Sequence, residues 1–147
     1  MPLSTATQSL LRSLPRDLMV TGAEAAQLGI ARSVLRGPAF RRLPQGLYVR
    51  ADTPDSFELW VRAALKVAPP GTALWGHTAL RAWGVALPAS LDRDRRVHLL
   101  APPGERRPRV SGVLVHQCGP GADDAVRVRR LGGVPLAAPV EAWLQTV

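Results

Sequence analysis

The residues of this sequence best suited to chemistry are arginines set close together. Arg32, Ser33 and Arg36 form one short stretch, and Arg41, Arg42 and Gln45 follow almost directly. Guanidinium groups grip phosphate oxygens through charge-assisted, fork-shaped hydrogen bonds, and an arginine lying in a major groove can also read guanine. Ser33 and Gln45 add polar groups that can donate to phosphates or bases. Two arginines on a short helix are as simply explained as a solvated face. Arg41 and Arg42 shift that balance, because a fold that packs both stretches side by side would converge four cations on one face. Arg32, Ser33, Arg36, Arg41, Arg42 and Gln45 are therefore the expected DNA-binding residues.

Other chemistry is thinly represented. His77, His98 and His116 are the only histidines, and no two stand three or four residues apart as a helical metal pair would. His98 and His116 could be cross-strand neighbours, but the expected role of the histidines is structural, with His77 satisfying a backbone group in a tight turn. Asp92 with Asp94, and Asp123 with Asp124, are paired carboxylates of the kind used in acid–base or metal work. Both pairs fall in glycine- or arginine-rich stretches without a lysine or histidine placed to complete a nuclease site, which reads as loop solvation. Cys118 is the single cysteine, so an internal disulfide and a zinc site built on several thiolates are excluded. No glycine-rich phosphate loop or nucleophile elbow is present. The sequence thus predicts no catalytic residue, no metal and no cofactor, and a protein that is not an enzyme. Trp60, Trp75, Trp83 and Trp143 are expected as core anchors before they are base-stacking platforms.

The charge distribution agrees with a polyanionic partner. The 147 residues carry a net charge of +8, an excess that favours nucleic acid. Residues 1–50 hold seven arginines against Asp17 and Glu24, and residues 95–147 hold eight arginines against four acids, whereas residues 51–94 hold four bases against five acids. With 46% of residues apolar and 20% charged, the chain can bury a core and does not read as disordered. No run approaches the ~20 apolar residues of a membrane span, and the N-terminus lacks a basic segment leading into an apolar one. A cytoplasmic protein without a membrane partner is expected.

The elements that must position the arginines are legible from local signals. Ser4 or Thr5 can cap a helix over residues 4–14, with Leu10, Leu11 and Leu14 on one face and Pro15 at its end. Thr21-Gly22-Ala23-Glu24 has the form of a capping box, so a second helix starts at Gly22 and stops near Gly29. Ala31 to Arg36 forms one to two further turns, with Val34 and Leu35 inward and Arg32, Ser33 and Arg36 outward, closed by Gly37-Pro38. Two short helices about a glycine turn make a helix-turn-helix. FRRLPQGLYVR, residues 40–50, then reads as a hairpin around Leu43-Pro44-Gln45-Gly46, the wing of such a domain.

Beyond it, Thr53-Pro54-Asp55 opens an amphipathic helix with Phe57, Trp60, Val61, Ala64 and Leu65 on one face. Residues 72–75, 96–100, 113–117 and 126–130 read as strands, and residues 76–84 as a turn into a short helix. PVEAWLQTV closes the chain as a helix with Val140, Trp143, Leu144 and Val147 in an apolar stripe that either docks on the preceding sheet or belongs to the front portion of a longer protein, the second being favoured. The fold class expected is α+β: a winged helix-turn-helix over residues 1–52, then a small α/β domain with a mixed or antiparallel sheet over residues 53–147, incomplete at its C-terminus.

The order of these motifs resembles the AbiEi-type antitoxins of type IV toxin–antitoxin systems and related actinobacterial proteins that share their N-terminal half. The likeness is carried by GAEAAQLGIARSVLRG, FRRLPQGLYVR, ALWGHTALRAWG and GVPLAAPVEAWL, and runs through most of residues 18–147. Gly76 stands where the family has serine before His77, and Gly37-Pro38 shortens the recognition helix relative to many members. The resemblance implies a winged domain that binds double-stranded DNA at its own promoter, and an antitoxin domain that opposes a nucleotidyltransferase-like toxin by indirect antagonism. Some relatives with the same N-terminal half continue into a Vsr-like endonuclease domain, so the alternative expectation is the DNA-targeting portion of such a nuclease, with its catalytic domain beyond Val147.

Overall fold

A computed structural model describes residues 2–105, 109–117, 127–144 and 146. The protein is mixed α+β, with two sheets, and divides into two compact units, Met1–Leu59 and Trp60–Val147.

In the first unit, α1 (Thr5–Ser13) begins at Ser4, whose hydroxyl accepts a hydrogen bond from the Thr7 amide at 3.2 Å. At its other end Arg50 Nη1 donates to the carbonyls of Leu11, at 2.9 Å, and Leu14, at 3.4 Å. These are acceptors that a helix C-terminus leaves open. Strand β1 (Met19–Val20) leads into α2 (Gly22–Gln27), and the capping box forms in full: the Glu24 amide donates to Thr21 Oγ1 and the Thr21 amide to Glu24 Oε2, each at 3.1 Å. Gly29, at a φ of +79°, follows the helix as expected, and α3 (Arg32–Leu35) is a single turn.

Strands β2 (Phe40–Arg42) and β3 (Tyr48–Arg50) form the expected hairpin, closed by Leu43 N–H to Leu47 C=O at 2.8 Å and Gly46 N–H to Leu43 C=O at 3.0 Å. Strand β3 lies between β1 and β2, antiparallel to both. Val20, Ala25, Ile30, Leu35 and Phe40 make the core of this unit, and Leu10, Leu11, Leu14, Leu18 and Val34 pack against it. Apolar residues from β1, α2, the turn after it, α3 and β2 meet in one cluster, which is how a unit of such short elements holds its shape.

Helix α4 (Phe57–Val67) contains the division between the units. It starts later than Thr53-Pro54-Asp55 suggested, because Ser56 supplies the cap, its hydroxyl accepting from the Leu59 amide at 3.2 Å. The second unit holds β4 (Ala73–Leu74), α5 (Gly76–Ala82), α6 (Ala89–Asp92), β5 (Val97–Ala101), β6 (Val113–Gln117), β7 (Val128–Leu131), β8 (Val134–Ala137) and α7 (Pro139–Leu144). Its sheet has the order β6-β5-β4-β8-β7 and is mixed: β4 pairs antiparallel with β5 and parallel with β8, β5 parallel with β6, and β7 antiparallel with β8. Leu99, Leu74 and Leu136 stand in register across the three middle strands, each fully buried. Helix α5 packs on α7 and on the β5 and β8 strands, and Trp83 at its end donates its indole N–H to the Ala137 carbonyl at 2.8 Å.

The second unit departs from the sequence reading in several places. Strand β8 and helix α6 were not anticipated: VPLA is short and interrupted by Pro135, and ASLD carries no helical repeat. Of the two readings of the α7 stripe, docking on the preceding sheet is the one the structure does not bear out, since Val140, Trp143 and Leu144 are 68%, 56% and 65% exposed and the small Ala142 is turned inward instead. Trp143 is accordingly not a core anchor. Trp75 is buried, Trp83 is half-buried, and Trp60 is half-buried with the Arg95 guanidinium 5.2 Å over its ring. Val147, Cys118, Asp123 and Asp124 lie outside the described residues.

Candidate functional site

Two structural facts position the arginines of the first unit. Helix α3 buries Leu35 in the core, which leaves Arg32, Ser33 and the capping Arg36 exposed on its other side. On β2 successive side chains alternate between faces. Phe40 and Arg42 share one face, and Arg41 takes the other. The register sets Arg42 opposite Tyr48 on β3.

A groove of about 370 Å³ results, lined by Arg32, Leu35, Arg36, Phe40, Arg42 and Tyr48. Three of these residues are cations and none is an acid. Its floor is apolar and aromatic, and its rim carries guanidinium groups that form forked hydrogen bonds to phosphate-like oxygens. Tyr48 was missed by the sequence reading; its cross-strand position opposite Arg42 is the signal that would have found it.

Arg41 does not join this group. Its Nη2 donates to the Thr53 carbonyl at 2.9 Å, so it ties the hairpin to the segment that follows. The expectation of four cations on one face is thereby reduced to three, and the cause is strand alternation. Ser33 is exposed beside Arg32, and Gln45 is half-exposed in the hairpin turn; neither lines the groove. Of the second basic set, Arg127, Arg129 and Arg130 are exposed at or beside β7, an edge of the second sheet, and Arg109 is exposed as well. Arg106 and Arg107 lie outside the described residues.

No model of a known protein family matches the chain, and no curated protein matches it.

The second unit brings together groups that the sequence kept apart. The loop before β5 turns Asp94 back onto the strand, with the Arg96 amide donating to Asp94 Oδ1 at 3.0 Å. Asp94 Oδ2 then lies 3.2 Å from His98 Nε2 and 3.3 Å from His77 Nε2. His77 comes from the first turn of α5, which is brought to β5 by the β4–β5 pairing and by two bonds at His98: the Trp75 amide donates to its carbonyl at 2.9 Å, and its own amide donates to Thr78 Oγ1 at 2.9 Å. His98 Nδ1 is 3.1 Å from His116 Nε2, with the two rings stacked.

This overturns the solvated-loop reading of Asp94. Its side chain is 14% exposed and touches His98, four residues on in sequence, and His77, which is distant in sequence. The Arg96 side chain, bonded to Oδ1 at 2.9 Å and to Oδ2 at 3.0 Å, holds the Asp94 carboxyl well below the usual carboxylate range, against the opposing effect of burial. Burial pulls the pKa of His98 down, and the neighbouring His77 and His116 pull the same way, while Asp94 pulls it up.

His77 does not satisfy a backbone group as expected. Its Nε2 is buried, and although Asp94 is close, that atom has no hydrogen-bond partner. A buried polar atom left in this state costs about 1–3 kcal/mol.

Proposed function

We propose that this protein is a DNA-binding transcriptional autoregulator of the AbiEi antitoxin type, with its first unit acting as a winged helix-turn-helix. In this reading α2 and α3 are the helix pair, the β2–β3 hairpin is the wing, and double-stranded DNA at the protein's own promoter is the ligand. The observation that carries it is the acid-free groove in which Arg32 and Arg36 from the helix side meet Arg42 from the hairpin side. Two elements that each offer cations to one surface suit a duplex, whose phosphates flank the groove that a helix enters.

Arg32, Arg36 and Arg42 are assigned to phosphate or guanine, with Ser33 and Gln45 as lesser contacts, and Arg41 supports the hairpin. The antitoxin role, exercised against a nucleotidyltransferase-like toxin in the cytoplasm, rests on the resemblance of the motifs in residues 18–147. Among the described residues no helix is long and apolar enough to cross a membrane, which is compatible with that reading.

The test is fluorescence anisotropy with a duplex taken from upstream of the protein's own reading frame, repeated across a salt series. Each phosphate contact contributes about 0.9 to the slope of log affinity against log salt. Replacing Arg32, Arg36 and Arg42 together by alanine should abolish measurable binding at physiological salt while leaving the circular dichroism spectrum intact. Binding of the triple variant with wild-type affinity and slope would overturn the assignment.

A further inference from the structure

We propose that His77, Asp94 and His98 form a binding site for a divalent transition-metal ion of the zinc class, with the Nε2 atoms of the two histidines and Oδ2 of Asp94 as its ligands. The site belongs to the second unit, so it stands independently of the DNA reading. It revises the expectation that the histidines are purely structural.

Geometry is the first support. Zinc bonds to imidazole nitrogen and carboxylate oxygen are about 2.0–2.2 Å long, which gives a tetrahedral site ligand-to-ligand edges of about 3.3–3.5 Å. Two edges are already close to that length, since Asp94 Oδ2 is 3.3 Å from His77 Nε2 and 3.2 Å from His98 Nε2. All three groups offer ligand atoms within 4.8 Å of one another, and the edge between the two imidazoles is the one that must adjust on binding.

The second support is the state of His77. Its side chain is nine-tenths buried, and its Nε2 faces Asp94 with no hydrogen-bond partner. An imidazole nitrogen that makes no hydrogen bond, 3.3 Å from a carboxylate beside another imidazole, is satisfied by a cation that all three groups share. Donor chemistry gives the class: two imidazoles and one carboxylate suit Zn²⁺ and its first-row neighbours, whereas Mg²⁺ and Ca²⁺ prefer oxygen ligands.

The surrounding groups fit the same role. A metal-bound histidine usually engages its other ring nitrogen with an outer partner that fixes its orientation. His98 does so through Nδ1, 3.1 Å from His116 Nε2. His116 is exposed on β6 and so marks the solvent side of the cluster. Arg96 works in the opposite direction. Its guanidinium occupies both oxygens of Asp94 and would compete with the ion, but its side chain is 57% exposed and can swing clear. Three protein ligands leave a fourth position for water.

The experiment is titration of the chelator-treated 147-residue chain with Zn²⁺ by calorimetry, and with Co²⁺ by visible absorption, whose intensity reports a tetrahedral site. One ion should bind per chain, and the melting temperature should rise with Zn²⁺ concentration. The double variant His77→Ala/His98→Ala should lose saturable uptake. His116→Ala should weaken it by about 10–100-fold, as loss of an outer partner does, and Arg96→Gln should tighten it by freeing the carboxylate.

Failure of the folded wild-type chain to take up one equivalent of either ion would overturn the proposal, as would full uptake by the double variant. Should the double variant not fold, the exposed positions decide. Unchanged affinity in both His116→Ala and Arg96→Gln would mean that the ion binds elsewhere.

Discussion

Arg41 and Arg42 are neighbours in sequence, yet their side chains do opposite things. The first spends its guanidinium on the Thr53 carbonyl, and the second opens onto the groove with Arg32 and Arg36. Arg41→Ala should therefore destabilise the protein by about 1 kcal/mol, the ordinary worth of a partly buried hydrogen bond, read as a lower urea midpoint at unchanged slope. Arg42→Ala should leave the midpoint nearly unmoved and lower DNA affinity more than Arg41→Ala does. An equal effect of the two variants on DNA binding would contradict the division of roles. The types of these residues were legible in the sequence, and so was their closeness. What went unread was the period of two that sends Phe40 and Arg42 one way and Arg41 the other. Asp94 is the reverse case: no local pattern links it to His77, because their meeting depends on how β4 and β5 pair.

Local capping signals carried most of the first unit. Thr21 with Glu24 fixed the start of α2, and the glycine-containing turn between Leu43 and Gly46 fixed the hairpin, because each acts within a few residues of itself. Strand β8 had no such signal; VPLA becomes a strand through β4 and β7 on its two sides. Helix α7 likewise showed an apolar stripe whose direction only packing decides, and packing chose Ala142. Gly76 is where backbone conformation matters most. It has a φ of +55° at the entrance to α5, and no atom lies within 4 Å of where a Cβ would sit. Installing the serine found at this place in the resembled family, as Gly76→Ser, should cost about 1–2 kcal/mol from the left-handed backbone alone, seen as a lower melting temperature. A neutral or stabilising effect would mean that the entrance to α5 adopts a different conformation.

Across the whole molecule, composition announced a basic protein with enough apolar residues for a core, and the two basic ends are built differently. Arg32, Arg36 and Arg42 meet in a groove, whereas Arg129 and Arg130 stand on β7, whose four residues are all exposed at the edge of the sheet. Charged side chains on such an edge discourage pairing with a second chain. Arg129→Val/Arg130→Val should thus promote self-association, visible by light scattering, while leaving the salt slope of DNA binding as it is. A loss of DNA affinity without self-association would instead place these arginines in the DNA contact. The sheet behind that edge also has a consequence in time. Its middle strand β4 holds β5 on one side and β8 on the other, with Leu74 in register with Leu136 near the far end of the chain. Residues 1–59 can gather their own core while synthesis continues, since chains fold from the N-terminus as they emerge. The second unit must wait, with one side of β4 bare, until β8 leaves the ribosome, and its folding is set by the slow closure of that distant pairing.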